Sequence, residues 1–225
     1  MNKYEILYGN AYPMVHYNLD YGEMIKCESD AMVAMSPTVD VEGKLEGGLL
    51  SGLGRVLAGE KFFFQTLTAK RGSGYVLFAP ATTGAIVDLP LDGSYELSVQ
   101  KDGFLGGTSG INVSTKMQNL AKGFFSKQGF FILRVGGKGT VFLNSLGAIH
   151  TIQLQAGEEI IIDNGHLVAW PSTMQFKLEK AAKGILSSIT SGEGIVCRFV
   201  GPGFVMIQSR NPTAFAGFLN GLIVK

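Results

Sequence analysis

Charge is scarce in this sequence. Asp, Glu, Lys and Arg make up 16% of its 225 residues, where an ordinary soluble domain carries about a quarter. Nineteen basic residues nearly cancel eighteen acidic ones, leaving a formal net charge of +1. A protein that mainly grips phosphate backbones carries a clear basic excess, so nucleic acid is disfavoured as the principal partner and only a local patch could serve it. Cysteine is rarer still. Cys27 and Cys197 form no C-x-x-C pair, and both sit in apolar, strand-like runs. They read as buried free thiols in a reducing compartment rather than as a secreted disulfide. No apolar run approaches the roughly 20 residues of a membrane span, and Met1 to Tyr8 lacks the apolar core of a signal peptide. A soluble, cytoplasmic protein is expected.

Chemistry-bearing patterns are missing too. The three histidines, His16, His150 and His166, are far apart, with no H-x-H or H-E-x-x-H spacing. No metal site is therefore expected; a cupin-type metalloenzyme would place two histidines one residue apart on a strand. Gly72-Ser73-Gly74 and Gly107-Thr108-Ser109-Gly110 lack the spacing of a nucleophile elbow. Gly52-Leu53-Gly54, followed by Arg55 to Gly59, is neither a dinucleotide fingerprint nor a Walker A loop. No cofactor and no enzymatic activity are expected. Glu60 and Glu193 recur in similar settings, Ala58-Gly59-Glu60 and Ser191-Gly192-Glu193, which favours a turn role over acid–base work.

What the sequence does have is apolar residues, 46%, and 31 glycines. The glycines punctuate short apolar runs, as turn residues do in a β protein. Gly74-Tyr75-Val76-Leu77-Phe78, Gly139-Thr140-Val141-Phe142-Leu143 and Gly203-Phe204-Val205-Met206-Ile207 share one form, spaced 65 and then 64 residues apart. Upstream of them, in the same order each time, come polar turns at Ser29-Asp30, Asp102-Gly103 and Asn164-Gly165. Further matches are Ala121-Lys122-Gly123 with Ala182-Lys183-Gly184, and Phe130 to Arg134 with Ile195 to Arg198. Gln65 stands as the first-copy counterpart of Arg134 and Arg198. Three copies of one β-rich unit are expected, at about 21–91, 92–154 and 155–212, in one domain spanning 1–225. Each copy is too short to bury its own strands, so they should stack into one all-β body of the sandwich or barrel kind.

Two segments break the pattern. Gly43 to Gly59 is a glycine-leucine insert containing Gly47, Gly48, Leu49, Leu50 and Leu53. It suits a subunit interface, where glycine allows close approach, or contact with a membrane surface. Asn211-Pro212 opens a stretch with Phe215, Phe218, Leu219 and Leu222 at helical spacing. A capped amphipathic helix over about 212–222 is expected, its apolar face on the β body or a neighbouring subunit.

Ala58-Gly59-Glu60, Asn144-Ser145-Leu146-Gly147-Ala148-Ile149, Gly165-His166-Leu167-Val168-Ala169, Ser191-Gly192-Glu193-Gly194 and Arg210-Asn211-Pro212, in this order, resemble the altered-inheritance-of-mitochondria family. The fold of that family is similar to that of the tryptophan RNA-binding attenuation protein. The resemblance implies a short double-stranded β-helix unit used three times and a homotrimer whose nine units form a pseudo-ninefold ring. It brings no catalytic residues. Nor does it bring RNA binding, because the three copies share no basic triad. The expected function is that of a non-enzymatic binding or scaffolding protein with an unknown protein partner. The alternative is a ligand- or RNA-binding regulator with sites between units, for which Arg134, Arg198, Lys122 and Lys183 are the candidates.

Overall fold

A computed structural model describes residues 2–9, 12–44, 64–116, 132–180 and 195–223. The candidates Gly47, Gly48, Leu49, Leu50, Leu53, Lys122 and Lys183, with Glu60 and Glu193, lie outside the described residues.

Among those residues there are eighteen strands and one α-helix. The first seven strands are β1 (Tyr4–Leu7), β2 (Met14–Leu19), β3 (Met24–Glu28), β4 (Met32–Met35), β5 (Val39–Lys44), β6 (Phe64–Ala69) and β7 (Gly74–Phe78). Then come β8 (Ile86–Asp92), β9 (Leu97–Gln100), β10 (Phe104–Thr108), β11 (Ile111–Lys116) and β12 (Ile132–Asn144). The last six are β13 (Ile149–Leu154), β14 (Glu159–Asp163), β15 (Leu167–Pro171), β16 (Gln175–Lys180), β17 (Ile195–Val200) and β18 (Gly203–Gln208), followed by α1 (Pro212–Ile223). The protein is mostly β-sheet with one short C-terminal helix, in agreement with the all-β expectation. No helix among the described residues is long and apolar enough to cross a membrane.

Strand alternation decides which side chains are inside. In β2, Val15, Tyr17 and Leu19 are buried while Met14, His16 and Asn18 are only partly covered, the period-two pattern of a strand with one face on a core. The described strands form sheets ordered β1-β2-β7-β4, then β13-β18-β15-β9-β12-β10-β3-β6-β5, with β8 and β11 also on β12, then β14-β17-β16. The assigned ladders are antiparallel throughout, as in β3 with β6 and β15 with β18.

The core falls into three apolar clusters. The first joins Val15, Ile25, Cys27 and Phe78 to Leu105 and Phe142 from much later in the chain. The second joins Leu97, Val99, Phe104 and Leu133 to Val168 and Ala169. The third holds Ile162, Trp170, Cys197 and Phe199, with Ile132 reaching in from β12. Each fully buried Leu, Ile or Phe contributes about 1.5–3 kcal/mol, so these clusters bind sequence-distant strands together.

β12 is the longest of the described strands; its first half lies between β9 and β11 and its second half between β8 and β10. Ile132 to Val135 pairs with β9, and Lys138 to Asn144 pairs with β8. The change falls at Gly136–Gly137. Gly137 has φ +101°, and a Cβ there would lie 2.1 Å from the Gly110 carbonyl oxygen, so both conformation and space demand glycine.

Helix α1 begins where its cap residue places it. Asn211 Oδ1 accepts from the Thr213 backbone N–H at 2.9 Å and from that of Ala214 at 3.3 Å, satisfying two of the helix's unpaired donors. Of the two surfaces expected for its apolar face, the β body and a neighbouring subunit, the β body leaves it uncovered: no residue of α1 is buried.

Candidate functional site

Two ladders bring distant parts of the chain together and define where the site lies. β10 pairs with β3 through Gly106–Cys27, Gly107–Lys26 and Thr108–Ile25. β15 pairs with β9 through Ala169–Val99, Trp170–Ser98 and Pro171–Leu97. On their other sides, β10 meets β12 and β15 meets β18, each with a one-residue irregularity, at Leu105 and Val168. β4 meets β7 with the same irregularity, at Val33. Among the described residues, however, β4 has no ladder on its far side and closes its sheet as an edge.

The exposure of the three bulged residues reports the difference. Leu105 is 0% and Val168 1% exposed, whereas Val33 is 56% exposed. β14 closes the β14-β17-β16 sheet as an edge in the same way. Ile161 faces Arg198 on β17, as Ser98 faces Arg134 on β12. Ser98, covered by β15, is 0% exposed, while Ile161 is 44% exposed. A strand edge carrying exposed apolar residues and unpaired backbone groups is a template for pairing with another chain.

The sequence candidates are distributed differently. Arg198 is committed to two carboxylates: its Nη1 donates to Glu159 at 2.9 Å and its Nε to Glu179 at 3.2 Å. These bonds raise the Arg198 pKa and hold the Glu179 carboxyl below its ordinary range. Arg134 is half-buried, and its Nε has no hydrogen-bond partner among the described residues. Gln65 does not hold the position of the two arginines. Thr66 faces Lys26 on β3 as Arg134 faces Ser98, and Gln65 is one residue out, opposite Cys27. Phe215, Phe218 and Leu222 stand exposed on α1, away from both arginines in sequence and with no covering element among the described residues.

Other titratable groups have structural surroundings. Cys27 and Cys197 are free and buried; burial pushes the Cys197 thiol up to about 12 and Cys27 higher still. His166 Nδ1 donates to the Gln208 carbonyl oxygen at 2.7 Å. Gln208 in turn donates from Nε2 to the Gly165 carbonyl and accepts at Oε1 from the Leu146 N–H, tying the 164–166 turn to the end of β18. Among the described residues no three His, Cys, Asp or Glu side chains gather as a metal cage requires.

Among the described residues this is a β-sheet protein in which β4 and β14, two of its edge strands, carry exposed apolar residues. The sequence matches the family described as mitochondrial biogenesis AIM24 over residues 4–210, and the chain belongs to that family. An uncharacterized protein of Streptococcus pyogenes serotype M6 is 32% identical over 215 residues, covering 92% of this chain and 86% of that one. A Streptococcus pyogenes protein of known crystal structure is 31% identical, with a TM-score of 0.80 covering 97% of this chain and 98% of the other.

Proposed function

We propose that the chain is three copies of one six-stranded unit and that it works, without catalytic chemistry, as a scaffold: a closed homotrimeric ring of nine units. The units are residues 14–78, 86–144 and 149–208. In each, the first strand pairs with the last: β2 with β7, β8 with the second half of β12, β13 with β18. The second strand pairs with the fifth: β3 with β6, β9 with the first half of β12, β14 with β17. This grouping starts each unit six or seven residues earlier than the sequence pattern does, because β2, β8 and β13 pair with strands that follow them.

The observation that carries the ring is the pair of open edges. The third strands of units two and three, β10 and β15, each lie on the second strand of the preceding unit. The third strand of unit one, β4, and the second strand of unit three, β14, lack this partner among the described residues. Head-to-tail pairing of β4 with β14 of another copy continues the series. The registers of the two internal ladders set the expected one: Ala34 opposite Ile162 and Met35 opposite Ile161. Val33 then enters the third apolar cluster of the neighbour, as Leu105 enters the first and Val168 the second. A heterologous contact of this kind closes as a ring when its rotation permits. The count of three rests on the resemblance of the family to the attenuation protein.

Light scattering at micromolar concentration tests the reading. A ring has three times the 24.1 kDa chain mass, about 72 kDa; a stable monomer would overturn it. The alternative, a ligand- or RNA-binding regulator with sites between units, draws less support, since Arg198 is already paired with the carboxylates of Glu159 and Glu179.

A further inference from the structure

We infer that helix α1 of one copy docks on the β1–β2 hairpin of the next copy in the ring, its apolar face against Tyr8 and Tyr12. The inference rests on the ring reading above.

The helix needs a cover. At about 100° per residue, Phe215, Phe218, Leu219, Leu222 and Ile223 fall on one side, with Thr213, Gly217, Asn220 and Gly221 opposite. Phe218 is 63% and Leu222 62% exposed, and a Cβ added at Gly217 or Gly221 would meet nothing within 4 Å. No residue on either face is buried. An isolated helix of 12 residues is marginal in water, so this one gains its stability from whatever it packs against.

The path of the chain says where that surface lies. β7 leaves unit one through residues 79–85 and enters β8, the first strand of unit two. β12 leaves unit two through residues 145–148 and enters β13, the first strand of unit three. The exit of β12 is held against the entry of its own unit by the Ser145 N–H donating to the Ala85 carbonyl. The exit of β18 starts in the same way, with the Ser209 N–H donating to the Ala148 carbonyl. It therefore heads for the first strand of a next unit, and the described residues hold no fourth. In the ring that strand is β2 of the neighbouring copy, and the turn entering it is the β1–β2 hairpin.

That hairpin carries a matching surface. Tyr8 and Tyr12 are each 72% exposed. Tyr8 adopts φ 60°, a left-handed conformation uncommon outside glycine. No Asp, Glu, Lys or Arg occurs between Glu5 and Asp20, and none occurs in α1. A charge-free helix thus faces a charge-free aromatic turn, with tyrosine hydroxyls free to stay wet at the rim. A lipid surface fits less well. Helices that lie on membranes carry Lys and Arg on the polar face, and here that face is Thr213 and Asn220.

Co-assembly of two variants that each add one cysteine, Tyr12→Cys on one chain and Leu222→Cys on another, tests the contact under mild oxidation. The native cysteines are buried and stay silent. The expected result is a disulfide-linked pair of chains in the mixed ring, absent from either variant alone. Adding Phe218→Asp should cut its yield roughly tenfold. A 72 kDa particle with no cross-link, whose thermal midpoint is unchanged by removing residues 212–225, overturns the docking and leaves the ring standing. A monomer by light scattering overturns both. Flotation of the wild-type ring with phosphatidylcholine–phosphatidylglycerol vesicles, lost in Phe218→Asp and unaccompanied by cross-linking, overturns the docking in favour of a lipid surface.

Discussion

Trp170 on β15 and Ser98 on β9 face each other across a ladder, and neither has any solvent-exposed surface. On β14 the place of Ser98 is taken by Ile161, which is 44% exposed and has nothing opposite it on that side among the described residues. In the ring proposed above, Ile161→Lys is expected to leave the chain folded, with an unchanged far-ultraviolet spectrum, while the particle mass falls to that of a single chain. Ile161→Val should stay assembled. A trimeric Ile161→Lys protein would show that β14 lies outside the contact.

Trp170 is the centre of the third cluster. It packs edge-on against Phe176 and Phe199, with ring centroids 5.4 Å away in both cases. Trp170→Ala removes the largest fully buried side chain and should cost about 3–5 kcal/mol in guanidinium unfolding followed by circular dichroism. A loss below about 1 kcal/mol would mean that this cluster collapses around the gap.

Gly137→Ala should destabilise by at least about 2 kcal/mol, because it forces a left-handed side chain and sets its Cβ 2.1 Å from the Gly110 carbonyl oxygen. The same substitution at Gly22, where φ is +81° and nothing lies within 4 Å, carries only the conformational cost and should be milder. Equal thermal midpoints for the two variants would rule out the steric part of this account.

Alkaline pH should weaken the fold through Tyr17. Burial, with Glu23 nearby, pushes its hydroxyl from the ordinary 10 up to about 12. The folded state thus holds this proton more tightly than the unfolded chain does. Its contribution is complete below about pH 10 and is lost as pH rises towards 12. Tyr17→Phe should flatten the decline in stability across that window and remove one late-titrating tyrosine from the absorbance at 295 nm.

Much of the framework was readable from residue order. The glycine-led apolar runs became β7, the second half of β12 and β18, and Asn211 caps α1 as its residue type suggests. Short-range chemistry decides such features. Register was less legible: alternation places a side chain on a face without saying which residue stands opposite, and Gln65 turns out to face Cys27 while Thr66 faces Lys26. The engagement of Arg198 was invisible for a related reason. Its partners, Glu179 and Glu159, lie 19 and 39 residues away and meet it only once β16, β17 and β14 pair. The open edges at β4 and β14 had no signal of their own, since Val33 and Ile161 look like the buried residues of any strand. The ladders made elsewhere by β10 and β15 show the partner that β4 and β14 do not have among the described residues.

The ladder between β3 and β10 also imposes an order on synthesis. β3 is complete on one side once β6 has emerged, but its other side waits for residues 106–108, and β9 waits likewise for residues 169–171. A growing chain therefore always presents one unfinished strand, handed forward from each segment to the next as translation proceeds. A ribosome that stalls between them releases a polypeptide with a bare, greasy margin, prone to clumping with others in the same state.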